Sequence, residues 1–492
     1  MEKYLVLLDT DRIHDYVFAT NKLKEIRGAS AILNKLNLAE TQRLIKGSGK
    51  EIFIGGGSGK VIFANKSDAI KFCNNLEEVY RVKTDGEASI TTAIVPYDDS
   101  TEENFKESIY QGEKELRKRK DSKYLRIQLL NNPYFKTCGS SGILPAEIAT
   151  RENELISSAI YKKCEKAEDE KASFFNDFQK FISEKRDGSD EINKKIRDNN
   201  WQLLFSRELM PKDINSIGKL SDGYIGLIYA DGNRIGQRLQ KLENKESYTE
   251  FSEKILTGTK DAIFESLINN LTMGEYFPFE ILLLGGDDLL VLVPANRAIE
   301  TAIDFCDRFK HKTTVSISAG VIITHANYPI HQMIDYAEQL LKLAKKKSNE
   351  HPDNEENYID YMVIKGAIPY EVMHIRDNEL TYPGEDGFKI RLFQKPYTTN
   401  ELRRLVNKIH KLKKEGRFPH SRLKQMYESL FRGKNQAILD YCLLLTRLDK
   451  DRSQKVMKEE FFAECDLFPW IRTKEGLETP FMDLIELYDY ID

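Results

Sequence analysis

Two stretches of this chain read alike at three successive places, and such a duplication constrains the fold more than any other feature of the sequence. The first stretch opens with the apolar segment YLVLLDTDRI and the second with YIGLIYADGNRI; aligning the shared Arg-Ile sets Asp9 over Asp231 and Asp11 over Asn233. Next, KEIFIGGGSGKVIF (residues 50–63) matches FEILLLGGDDLLVLV (279–293), each an apolar strand, a glycine turn and an apolar strand, which is a hairpin signature. Last, YQGEKELRKRK (110–120) matches YAEQLLKLAKK (336–346), a helix with a basic final turn in both copies. Between the second and third landmarks each copy carries a further helix and strand: DAIKFCNNLEEVYRV then ASITTAIVPY, against AIETAIDFCDRFK then TVSISAGVIIT. The resulting order predicts an α+β layer, with one antiparallel sheet and helices on one face.

The repeat divides the rest of the 492-residue chain, which is too long for one ordinary core. The first copy takes residues 1–130. A polar, helix-rich insert follows over 131–215, opening with NNPYFKTCGSSGILPAE. The second copy takes 216–370, and a C-terminal region takes 371–492. That last region reads as a hairpin, NELTYPGEDGFKIRLF, followed by helices with apolar residues three and four apart, a small helical bundle.

The second copy holds the chemistry. In LLLGGDDLLVLV two carboxylates, Asp287 and Asp288, stand at a hairpin tip, and Gly285 and Gly286 let a phosphate approach the backbone with no Cβ in the way. Two adjacent anions are costly unless solvated or neutralised by cations. Asp231 closes a strand expected beside that hairpin, so three carboxylates would converge at a sheet edge as a hard-oxygen site for Mg²⁺ or Mn²⁺. The metal set is Asp231, Asp287 and Asp288 with the backbone of Gly232; the catalytic set is the same three acids. A site of this kind performs phosphoryl transfer, activating a ribose hydroxyl and neutralising departing pyrophosphate. Lys345 and Lys346 (with Lys347) are the expected triphosphate holders, assisted by the backbone of Gly232 and Asn233. A Gly-Gly-Asp-Asp quartet alone could equally be an exposed hairpin tip; the accompanying Asp231 and the basic helix, at duplicate spacing, argue for the site.

In the first copy the turn has become Gly55-Gly56-Gly57-Ser58, so both hairpin acids are missing and only Asp9 and Asp11 remain, too few for two metals. That copy is expected to bind a second nucleotide, with Arg117, Lys118, Arg119 and Lys120 near its phosphates, rather than to catalyse. Its glycines invite a P-loop reading that fails, because Ile54 stands at the first glycine position and Val61 at the required Ser or Thr.

These residues together resemble the large subunit of type III CRISPR effector complexes, a family with two palm domains of which the second carries GGDD. Leu23-Lys24-Glu25-Ile26-Arg27-Gly28-Ala29-Ser30 resembles the family's first-palm segment; Ala230-Asp231-Gly232-Asn233 and Gly285-Gly286-Asp287-Asp288 resemble the second. The strand Ala319-Gly320-Val321, the helix from Ala337-Glu338 to Ala344-Lys345 and the PHSRLKQMYESL segment agree as well. The resemblance implies two tandem ferredoxin-like, nucleotidyl cyclase-like palms with a helical insert and a C-terminal helical domain. It implies conversion of ATP to cyclic oligoadenylate with Mg²⁺ or Mn²⁺, and nucleotide-binding roles for Gly232, Asn233, Gly285, Gly286, Lys345, Lys346, Gly55, Gly56, Gly57, Arg27 and Ser30. Its implied partners are ATP, guide-RNA effector subunits and target RNA, with a homodimer left open. Two departures stand out. Members often begin with an HD nuclease domain, whereas here the first palm strand begins at residue 4, and His14-Asp15 has no partner cluster among eight histidines, so DNA cleavage is not expected. The family's insert commonly holds zinc through four cysteines; only Cys138 and Cys164 stand at suitable places, neither in a CxxC pair, so the finger is expected to be metal-free.

Two competitors remain. A GGDEF-type cyclic dinucleotide synthetase shares the palm hairpin but builds its site between identical domains. A non-catalytic nucleotide- or RNA-binding scaffold has no need of three retained acids. Net charge of −4 excludes coating of nucleic acid through bulk positive charge, and no apolar run approaches the ~18 residues of a membrane span. Six scattered cysteines fit reduced thiols in a cytoplasm.

Overall fold

A computed structural model describes residues 3–123, 136–142, 144–150, 153–185, 191–201, 209–351, 355–366, 370–384, 388–415, 418–461 and 465–492, without the side chains of 168–173 and 175. Part of the expected insert opening, residues 131–135, lies outside the described residues.

Both copies build a sheet of the same order. In the first it is Gly49–Gly55, Ser58–Phe63, Lys3–Asp11, Ser89–Tyr97, antiparallel throughout. In the second, Glu280–Gly285, Asp288–Pro294, Tyr224–Gly232 and Ile317–His325 take the same places. Tyr358–Ile364 then extends that sheet in parallel and Tyr397–Thr398 closes it, so the fold is α+β with mixed sheets. The added strands were not anticipated, because YIDYMVI carries no duplicate in the first copy to mark it as part of the layer.

Helices cover both faces of each sheet, a correction to the one-faced layer expected above. In the second copy Ile228 and Ala230 pack with helices Lys245–Asn270 and Ala295–Thr313, whereas Ile225, Leu227 and Tyr229 pack with helix Ile330–Glu350. The reason is visible in the strand: YIGLIYA is apolar at consecutive positions, the pattern of burial on both sides. Val6 and Leu8 of the first copy share one continuous apolar cluster with Ile225, Leu227 and Tyr229 of the second, so the two copies are joined by core rather than by a linker.

The docking is reciprocal. Helix Leu23–Lys35 of the first copy reaches the edge strand of the second hairpin, where Arg27 forms a buried bidentate pair with Glu280 (Nε to Oε1, 2.5 Å) and Ser30 Oγ donates to the Leu282 carbonyl (2.8 Å). Helix Lys245–Asn270 of the second copy reaches the first hairpin, where Thr249 Oγ1 donates to the Ile52 carbonyl (2.8 Å) and Lys60 Nζ to Tyr248 Oη (2.6 Å). Each copy's first long helix thus clamps the other copy's hairpin.

Helix Ser158–Lys185 lies against Leu23–Lys35 at Gly28, where an added Cβ would come within 1.6 Å of the Lys163 carbonyl. Lys163 itself is buried, donating to the Tyr16 carbonyl (2.9 Å) and pairing with Glu87 (2.8 Å). Cys138 and Cys164 meet around Ile148, Ile156 and Ile160 in a small apolar cluster.

In the C-terminal region the expected hairpin forms, Thr381–Pro383 pairing antiparallel with Lys389–Arg391, and the unanticipated strands Gly476–Glu478 and Ile471–Arg472 extend it. Helices Thr399–Lys414, His420–Leu430, Lys434–Thr446, Ser453–Phe461 and Phe481–Tyr488 accompany a four-stranded sheet of Thr381–Pro383, Lys389–Arg391, Gly476–Glu478 and Ile471–Arg472. The two added strands, of three and two residues, are too short to show an alternation in sequence. Among the described residues no helix is long and apolar enough to cross a membrane.

Candidate active site

Strand register brings the acids together. Tyr224–Gly232 and Asp288–Pro294 run antiparallel with Ala230 opposite Leu289, and the next step of that ladder sets Asp231 beside Asp288. The first copy repeats the geometry with Asp9 opposite Ser58, so the duplication extends to single residues. Asp287 stands in the turn, its carboxylate over Gly232: a Cβ there would lie 2.9 Å from Asp287 Oδ2 and 2.8 Å from Ile235. Thr259 Oγ1, from helix Lys245–Asn270, lies 2.7 Å from the Gly286 carbonyl and holds the turn from behind.

The two turns differ where the acids differ. Gly286 has φ +61° and is the one left-handed residue of its turn, leaving Asp287 an ordinary conformation. In the first copy both Gly56 and Gly57 are left-handed (φ +58° and +82°), and Gly57 occupies the place of Asp287. A side chain at Gly57 would be strained and would meet Ile13 within 2.8 Å, so the missing acid goes with a different turn. The turns touch: a Cβ on Gly56 would come 3.2 Å from the Gly286 nitrogen.

Crowding controls the charge. Burial and then the Asp231 charge push the Asp288 carboxyl up to about 8, and the same causes in the same order raise Asp287 well above the carboxylate range. Both lie within hydrogen-bond reach of Asp231, which is also ion-paired to Lys345. Three carboxylates held this closely do not all ionise near neutrality without more positive charge than one ammonium supplies. Their hard oxygens suit Mg²⁺ or Mn²⁺, so the donor chemistry fits a divalent ion. Among the described residues, no group of three or more His, Cys, Asp or Glu side chains already stands in ligand geometry. The carboxylates instead face one another and Lys345.

Other expected residues stand elsewhere or are otherwise engaged. Lys345, expected on a triphosphate, has its ammonium on Asp231, and Lys346 is exposed with no hydrogen bond or ion pair among the described residues. Asn233 is engaged within the protein: its backbone N–H donates to the Ser316 carbonyl (2.9 Å) and its amide joins Ser316 Oγ and Ser318 Oγ, pinning the strand end. Arg27 and Ser30 border the cavity between the copies, with their polar groups spent on the buried Glu280 pair and the Leu282 carbonyl in docking those copies. In the first copy, Lys120 pairs with Asp9 (2.6 Å) and Lys123 with Asp11 (2.6 Å), so its acids already have counter-charges; Arg119 Nη1 bonds the Thr92 carbonyl instead (2.9 Å). Gly55, Gly56 and Gly57 do line shared space: a cavity of about 340 Å³ between the hairpins, also bounded by His14, Gly286 and Asp288.

Three residues near the acids escaped the sequence reading: Thr259, Tyr229 and His14. Thr259 sits unmarked in a long helix. Tyr229 looks like one more apolar strand residue. His14 was legible in one respect, because the repeat places it opposite Gly236.

Comparison with known proteins follows the same lines. Residues 224–352 match the family model described as Cas10/Cmr2, second palm domain. No curated relative matches the chain. Among solved structures, a chain of the Csm1–Csm4 cassette in complex with pppApApA aligns at 13% identity and TM-score 0.59, covering 99% of this chain and 69% of that one. The cassette in complex with cA3 gives 14%, 0.58, 100% and 70%, and that with cA4 gives 14%, 0.52, 83% and 58%. The likeness is one of fold, and the chain spans 58% of the cA4-bound chain's length.

Proposed function

Because residues 224–352 match the family model of the Cas10/Cmr2 second palm domain, we propose that this chain is a nucleotidyltransferase that joins ATP into cyclic oligoadenylate in type III CRISPR-type defence. On this reading residues 1–130 and 216–370 are tandem ferredoxin-like palms, 131–215 is the insert and 371–492 the C-terminal domain. The observation that carries the reading is the register that sets Asp231 beside Asp288, with Asp287 laid over Gly232. Asp231, Asp287 and Asp288, with the Gly232 backbone, hold the divalent ions. Those ions, when bound, lower the pKa of an attacking ribose 3′-hydroxyl and neutralise leaving pyrophosphate. The protein's own part is positioning. Gly285 and Gly286 let the triphosphate approach the turn, and Lys345, already on Asp231, stands close enough to exchange a carboxylate for a phosphate. The abutting turn Gly55-Gly56-Gly57 presents a second nucleotide across the palm interface. A partner subunit of the kind found in Csm1–Csm4 cassettes, together with guide and target RNA, belongs to the same reading, as does a cytoplasmic setting.

Purified protein, alone and with candidate activator RNA complexes, is incubated with ATP or GTP and Mg²⁺ or Mn²⁺, and products are resolved by mass spectrometry. Cyclic oligoadenylate supports the proposal; cyclic di-GMP points to a GGDEF-like synthetase, and no product under any activator to a scaffold. The double variant Asp287→Ala, Asp288→Ala abolishes product while keeping the fold. Undiminished synthesis by it removes these acids from the mechanism.

A further inference from the structure

The first copy reaches toward the acidic site of the second with His14. His14 follows the strand Lys3–Asp11, and its Nε2 lies 3.1 Å from Tyr229 Oη on the second copy's central strand, the rings edge-on with centroids 5.5 Å apart. Tyr229 lies two residues before Asp231, and the charges of Asp288, Asp231 and Glu338 act on its hydroxyl. Among the described residues His14 Nδ1 has no hydrogen-bond partner, and the half-buried imidazole lines the cavity between the two turns with Gly56, Gly57, Gly286 and Asp288. That cavity, about 340 Å³, is of the size that admits a small ligand.

The duplication makes the residue conspicuous. Arg12 and Arg234 adopt the same left-handed conformation (φ +48° and +57°) at matching places, followed by Ile13, which lies against Gly57 of the hairpin turn, and Ile235, which lies against Gly232 of its own strand end. At the next position the copies part: the first has His14 and the second Gly236, beside which a Cβ would meet nothing within 4 Å. The copy without hairpin acids carries the imidazole, and the imidazole stands at the other copy's acids. Burial holds its pKa below the ordinary histidine value, so it is a neutral ring able to donate at one nitrogen and accept at the other.

We propose that His14 is a nucleotide-contacting residue lent by the first palm, hydrogen-bonding the nucleoside moiety of a triphosphate whose phosphates lie at Asp231, Asp287 and Asp288. This rests on the reading of those acids as the triphosphate and metal site. The test is binding of AMPPNP and of inorganic tripolyphosphate in Mn²⁺, by calorimetry, to wild type, His14→Ala and His14→Gln, with melting temperature and Mn²⁺ affinity recorded alongside. His14→Ala is expected to weaken AMPPNP about tenfold, leaving tripolyphosphate and Mn²⁺ affinity unchanged while melting falls slightly for loss of the Tyr229 bond, and His14→Gln to recover most of both losses. Equal AMPPNP affinity in wild type and His14→Ala overturns the proposal while leaving the acid site standing. Equal weakening of both ligands, or lost Mn²⁺ binding, also overturns it, making His14 a support for the acids. A wild type that binds neither ligand overturns the acid-site reading with it.

Discussion

Asp287 lies over Gly232 so closely that a single added methyl would collide with its carboxylate, 2.9 Å from Oδ2. The second neighbour at that point is Ile235, at 2.8 Å, a flexible side chain that can give way more easily than a strand. Gly232→Ala is therefore expected to fold and to displace Asp287. Mn²⁺ affinity, measured by electron paramagnetic resonance, should fall about 10- to 100-fold, as when the support of a metal ligand is lost. Unchanged Mn²⁺ affinity in a folded Gly232→Ala protein would show that Asp287 is not held by this contact.

The raised carboxyls give stability a definite pH dependence. An acid with a folded pKa above its unfolded value binds extra protons in the native state, so its contribution is full below the unfolded value, 3.8, and is lost as pH rises through the folded one, about 8 for Asp288. Metal-free protein should lose melting temperature from the acidic side up to about pH 8. Mg²⁺ or Mn²⁺ should restore it most at the alkaline end, because binding must displace protons at lower pH. Asp287→Asn with Asp288→Asn should flatten the metal-free profile and abolish the metal response. A wild-type profile parallel to the double variant's would contradict the raised values.

Arg27 shows where the sequence could and could not be read. Its place in a segment resembling the family's first palm was visible, but its partner Glu280 lies 253 residues away in the other copy's hairpin. No local pattern announces such a pair. The acids were legible because the duplication put strand end, turn and helix in register, and pairing rules convert that register into proximity. For Asn233 the opposite holds: proximity to Asp231 in sequence said nothing of Ser316 and Ser318, which its amide joins. The extra strands of the second sheet, and the pair Ile471–Arg472 and Gly476–Glu478 that joins the expected C-terminal hairpin, were missed for want of a repeat or of length.

That buried pair carries its own prediction. Arg27→Ala leaves the Glu280 carboxylate enclosed without its partner, and removing one member of a buried pair costs about 3–5 kcal/mol. Replacing both by apolar residues of similar volume, Arg27→Met with Glu280→Leu, should recover most of that loss, since neither charge then remains to be desolvated. Chemical denaturation of the single and double variants measures it. A single variant as stable as wild type would mean that Glu280 finds water or another donor at the palm interface.

Thr259 ties the turn to the helix behind it, and its effect on rate should exceed its effect on stability. The hydroxyl has one proton, shared between the Gly286 carbonyl at 2.7 Å and the Ile255 carbonyl at 2.8 Å within its own helix. Thr259→Val keeps the shape and removes the hydroxyl, a change worth about 1 kcal/mol of stability. The helix retains its backbone bonds, so the consequence falls on the turn, whose next residue is Asp287. Supporting contacts of this kind set the placement on which positioned chemistry depends, and small misplacements cost about 100-fold in rate. Thr259→Val is expected to lower kcat for oligoadenylate synthesis by at least about tenfold with little change in KM, and Thr259→Ser, which restores the hydroxyl, to recover it. Equal rates for wild type and Thr259→Val would mean that the hairpin strands alone hold the turn.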